Sequence, residues 1–133
     1  IMNETYFKEG QSMSTYSYKT DFEGKNFIPE QKYNIYGTTI DHLIETQTLK
    51  CPNYIKLDVD GIEHKILKSA KKILMNNDLK SILVEVNENY KNQHLEVIKI
   101  MNENQFKLIS KKQNILEVKN TKFSKTFNYI YSR

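Results

Sequence analysis

The segment from Ser81 to Asn87 constrains the fold most. Ile82, Leu83, Val84 and Val86 form a nearly continuous apolar run, too short to span a membrane. Such a run is expected of a strand covered on both faces, as in parallel sheets packed between helices. The flanking segments agree. Before it, Ile62, Ile66, Ala70, Ile73 and Leu74 fall at helical spacing, which predicts one helix from Gly61 to about Asn76. After it, a helix from about Lys91 to Asn104 is expected to bury Leu95, Ile98 and Met101. A further strand is expected over Tyr54 to Val59, with Ile55, Leu57 and Val59 on one face. Strands near 106–110, 115–119 and 127–131 close the chain. No helical segment precedes the last, so antiparallel pairing is expected there. The order predicts an α/β domain with a mainly parallel sheet. Ligands of such sheets lie at the carboxyl ends of the strands.

The first 37 residues read differently, as short strands and a polar loop. Thr5-Tyr6-Phe7, Thr15 to Tyr18 and Tyr33 to Tyr36 favour strand, while Lys19 to Lys32, with Gly24 and Pro29, favours loop. At residue 38 the pattern changes. Thr38 is the expected N-cap of a short helix, with Asp41 three residues on and Ile40, Leu43 and Ile44 on its apolar face. The expected organisation is one domain over residues 1–133, with a hairpin and loop insertion at 1–37 and an α/β part at 38–133.

Composition removes several functions. The chain has 133 residues and four glycines, at positions 10, 24, 37 and 61, too far apart to form a loop that cradles a phosphate or dinucleotide. A self-contained P-loop or dinucleotide site is excluded. The net charge is +4, but of twenty basic residues only Arg133 is an arginine, and no basic run exceeds two residues. That argues against a nucleic-acid partner. A single cysteine, Cys51, excludes a disulfide framework and reads as an ordinary free thiol. No membrane span or leader is visible, which fits a cytoplasmic location, although the sequence begins at Ile1 rather than methionine.

The chemistry-bearing segment is Lys56-Leu57-Asp58-Val59-Asp60-Gly61-Ile62-Glu63. Three carboxylates fall where a strand turns into a helix, and Glu85 ends the next strand. Asp60 and Glu63 have the spacing of an N-cap and its reciprocal partner. Capping does not account for Asp58, which is expected inside the strand end, where a carboxylate needs a ligand, a metal or a donor. Asp-Val-Asp-Gly resembles the nucleophile loop of haloacid-dehalogenase-type phosphatases, but Ile62 and the lack of a later acidic pair argue against them. An Asp-x-Asp pair also resembles the metal motif of nucleotide-sugar glycosyltransferases.

A longer match runs through four linked blocks. Thr39-Ile40-Asp41-His42-Leu43, Tyr54 through Glu63, Ile66-Leu67-Lys68-Ser69-Ala70 and Ile82-Leu83-Val84-Glu85-Val86 resemble the C-terminal half of FkbM-type methyltransferases. Asp60 stands where that family usually has glutamate, and Ser69 where it usually has glycine. The resemblance implies a partial doubly wound, Rossmann-like methyltransferase sheet, holding its fourth to seventh strands. It implies S-adenosylmethionine as cofactor and methyl transfer to a hydroxyl oxygen of a sugar, glycolipid or polyketide-like acceptor. Within it, Asp58 is the first candidate to accept the hydroxyl proton, Glu63 and Glu85 are its partners, and Asp58 and Asp60 are the candidate cofactor contacts. No metal ligand set is assigned. The glycine-rich cofactor loop is expected upstream, and a half-sheet is expected to associate into a homo-oligomer through its exposed edge. The alternatives are a non-catalytic α/β binding or oligomerisation module and a glycosyltransferase-like metal site. His42, His64 and His94 are expected on solvent-facing helix sides, and Tyr16, Tyr18, Phe22 and Phe27 in hairpin packing or, alternatively, a substrate wall.

Overall fold

A computed structural model of the chain describes residues 1–4, 14–113, 121 and 123–133. The strands expected at 5–7 and 115–119, and Gly10, lie outside the described residues. Three short strands come first: β1 (Met2–Glu4), β2 (Thr15–Tyr16) and β3 (Gln31–Tyr33). They form an antiparallel sheet of order β2-β1-β3, so the expected hairpin is a three-stranded sheet with Met2–Glu4 at its centre. The expected strand at 33–36 lies two residues earlier.

The α/β part follows in the order α1 (Ile40–Glu45), β4 (Tyr54–Leu57), α2 (Glu63–Ser69), α3 (Lys71–Met75), β5 (Ser81–Asn87), α4 (Lys91–Glu103), β6 (Lys107–Lys112) and β7 (Thr126–Ser132). The sheet order is β4-β5-β7-β6. Only β4 and β5 are parallel; β7 inserts antiparallel between β5 and β6. The sheet is therefore mixed rather than mainly parallel. The expected antiparallel pair at the end of the chain is present, with a bulge between Leu108 and Ser110.

Burial is one-sided. Ile82, Val84 and Val86 are fully buried beneath α2 and α4, and the register sets Tyr131, Tyr129 and Phe127 beside them. Each such aliphatic side chain contributes roughly 1.5–3 kcal/mol. The opposite face carries Ser81, Leu83 and Glu85, which are only half-buried, and Tyr54 of β4 is 74% exposed. Double coverage of β5, expected from its apolar run, is not found.

Two helices depart from their expected form. The single helix from Gly61 to Asn76 breaks at Ala70 into α2 and α3. Asp41 supplies the cap that the new start requires, its carboxylate accepting the N–H groups of Lys72 (2.9 Å) and Ile73 (3.0 Å). The cap of α1 is Thr39, not Thr38; its hydroxyl oxygen accepts the His42 N–H. In α4 the buried face is Gln93, Val97, Ile100 and Met101, while Leu95 points to solvent.

Candidate active site

β4 ends at Leu57, opposite Val84, and the chain runs one step further so that Asp58 stands level with Glu85. Lys56 and Asp58 share the uncovered sheet face, and the Lys56 ammonium lies 2.9 Å from the Asp58 carboxylate. Asp60 does not share that face. It sits in the turn at φ +56°, a left-handed conformation that aspartate tolerates better than most residues. Gly61 follows at φ +106°. A Cβ there would stand 2.9 Å from the Phe22 Cα, so the glycine is required both by its φ and by the loop laid over it.

Glu63 lies under this turn and is 1% exposed. Its carboxylate accepts the N–H groups of Val59 (3.0 Å) and Gly61 (3.4 Å) and the side-chain amide of Gln93. Burial raises its pKa against these donors, which pull it down. The expected Asp60 cap is not found: the N-cap of α2 is Ile62, with no side-chain cap hydrogen bond. Glu63 reaches back alone and clamps the turn.

Glu85 is the perturbed acid. Burial pushes its pKa up to about 7, and the charges of Asp58, Glu63 and Asp60 and a hydrogen bond with Asp58 add to that rise. Asp58 is half-exposed beside Glu85 and faces solvent, with Lys56 balancing its charge. A carboxylate placed there can take a proton from a bound hydroxyl, its own charge falling by one unit as it does so. Among the described residues, no group of three or more His, Cys, Asp or Glu side chains is arranged to hold a metal ion.

Residues 4–108 match the family model described as methyltransferase FkbM domain. The chain belongs to the FkbM methyltransferase family. No curated protein and no solved structure matches it. The four blocks that suggested FkbM lie within the matched span, and two of them build the acidic pair at the ends of β4 and β5.

The FkbM chain also uses residues that the sequence reading passed over. Gln93 donates to Glu63 and accepts the Asn87 N–H at 2.9 Å; the Asn87 side chain donates to the Phe22 carbonyl at 3.2 Å. This buried line ties the turn, the end of β5 and the N-terminal loop together. Two histidines correct expectation as well. His64 is buried at 1% exposure, and His94 lies 3.3 Å from the Tyr129 hydroxyl; His42 alone is exposed. Of the four aromatic residues, Phe22 is buried against Phe123, and Tyr16 and Tyr18 stay exposed. No helix among the described residues is long and apolar enough to cross a membrane.

Proposed function

We propose that this FkbM domain transfers a methyl group from S-adenosylmethionine to a hydroxyl oxygen of a sugar, glycolipid or polyketide-like acceptor. The observation that carries the reading is the juxtaposition of Asp58 and Glu85 at the carboxyl ends of two parallel strands. The cofactor supplies a methyl group on a cationic sulfonium. Its charge suits the anionic cluster, and Asp58 and Asp60 would hold that end. The nucleotide end finds no open glycine cradle among the described residues. Gly24 is filled by the Tyr90 ring, Gly37 by the Tyr16 ring and Gly61 by the Phe22 backbone. Strands paired to the outer edge of β4 would complete that part of the site.

The work of the chain's own residues follows from their positions. Asp58 accepts or orients the acceptor hydroxyl, Glu85 flanks it on the next strand, and Glu63 with Gln93 holds the turn. Alignment for an in-line displacement contributes roughly 7–11 kcal/mol, and proton removal about 10²–10⁴-fold. The test is methyl transfer from labelled S-adenosylmethionine to a panel of hydroxylated acceptors, using the complete parent protein. Asp58→Asn is expected to lower kcat about 10²-fold or more and also to weaken cofactor binding, so kcat is read at saturating cofactor. Unchanged kcat in this variant would remove Asp58 from the chemistry.

A further inference from the structure

The last rung between β4 and β5 joins Leu57 to Val84, and Asp58 and Glu85 lie one step beyond it. Neighbouring strands are rotated against each other by roughly 20–25°, so strand ends without further rungs splay apart. The acidic pair therefore sits where the ladder no longer sets its spacing.

A buried bridge of side chains takes over at that point. Glu63 accepts the N–H of Val59, the residue after Asp58, at 3.0 Å, and that of Gly61 at 3.4 Å. Its other carboxylate oxygen accepts from the Gln93 side-chain amide. The Gln93 oxygen accepts the N–H of Asn87, two residues beyond Glu85, at 2.9 Å. The far end is anchored as well, because the Asn87 side chain donates to the Phe22 carbonyl at 3.2 Å and accepts the Asn89 N–H at 3.0 Å. Glu63, Gln93 and Asn87 are only 1%, 2% and 4% exposed, so water does not compete for these bonds.

The bridge needs the chemistry of glutamine. The Glu63 carboxylate requires a donor and the Asn87 N–H an acceptor, and these two needs fix which way the amide faces. Leucine offers neither, lysine only donors and an ionised glutamate only acceptors. Asparagine carries both groups on a stem one methylene shorter.

We infer that Gln93 is a positioning residue for the acidic pair: by joining Glu63 to the Asn87 backbone, it sets the spacing of Asp58 and Glu85. The inference rests on the catalytic reading of that pair, but the spacing is read without methyl transfer. Around Glu85 stand the carboxylates of Asp58, Glu63 and Asp60 and the Lys56 ammonium, and its proton affinity reports how closely they gather. Gln93 is uncharged, so a change it causes in Glu85 comes through the placement of those groups.

Carboxyl-carbon NMR follows the Glu85 titration in the full chain without cofactor. In Gln93→Leu the Glu85 pKa is expected to fall from about 7 by about one unit or more, as the carboxylates part and water enters. Gln93→Asn, the milder change to the fold, is expected to move it the same way by less. Val97→Ala opens a cavity in the buried face of the same helix. It is expected to lower the melting temperature and leave the Glu85 titration where it is. In the complete parent protein, Gln93→Leu is expected to lower kcat about tenfold or more at saturating cofactor. A Glu85 titration unmoved in folded Gln93→Asn, or moved as far by Val97→Ala as by Gln93→Leu, would overturn the inference. A moved titration with unchanged kcat would leave Gln93 as the spacer and overturn instead the catalytic role of the pair.

Discussion

Glu85 keeps a proton at neutral pH that a surface glutamate would have released. Its ordinary value of 4.5 rises to about 7, chiefly through burial. The folded state therefore binds this proton more tightly than the unfolded chain does. The resulting stabilisation is complete at acid pH and is lost as pH rises from 4.5 through 7. Glu85→Gln leaves an amide that still donates to Asp58 and removes that slope. Above pH 7 the variant is expected to be more stable by about 1 kcal/mol, the half-exposed position reducing the effect. Urea melts across pH check it; an unchanged pH slope would mean that Glu85 titrates normally. Asp58 and Glu85 were legible in the sequence because a carboxylate ending a buried strand has no structural excuse. Gln93 and Asn87 were not, since a polar residue on an amphipathic helix or at a strand end reads as solvent-facing. Only the fold shows that each meets a buried partner.

At the scale of elements, the break at Ala70 carries the clearest lesson. Hydrophobic periodicity continues through residues 62–74, so pattern alone joins α2 to α3. The discontinuity is backbone geometry, met by a carboxylate from another helix. Asp41 looked like part of its own helix's cap and instead serves α3, thirty-one and thirty-two residues away. The one hint lay at Ser69, where FkbM chains usually carry glycine, immediately before the break. Asp41→Ala is expected to cost about 1 kcal/mol, the usual worth of an N-cap. Thermal unfolding measures the loss. If Asp41→Ala melted with the parent chain, water would be satisfying the two N–H groups equally well. The α4 phase was misread for a related reason: Leu95 is exposed because the buried stripe is taken by Gln93, whose amide answers Glu63.

At the scale of the whole molecule, β4 pairs only with β5 among the described residues, so its outer edge presents unbonded backbone groups beside the exposed Tyr54. An edge of this kind recruits another strand. The 133-residue chain in isolation is expected to associate through it, with mass by light scattering rising with concentration; a strictly monomeric chain at all concentrations would count against this. Between residues 54 and 112 the alternation of strand and helix was readable because each buried stripe repeats along the chain, the division of α2 from α3 apart. Strand order was not, because the antiparallel insertion of β7 depends on contacts between distant segments.

The meeting of Gly61 with Phe22 limits how such a chain can change over time. The N-terminal loop rests its backbone on a spot where even a methyl group would intrude. Loop and turn are thus fitted to one another as a lid is to its rim. A loop borrowed from a relative would arrive with a different contour and lift from the turn, and with it from the Asn87 amide. The loop around Phe22 is therefore expected not to be exchangeable as an independent cassette. Diversity at this mouth is expected to arise by substitution on the exposed side of the loop, at positions such as Tyr18, while the path of its backbone stays fixed.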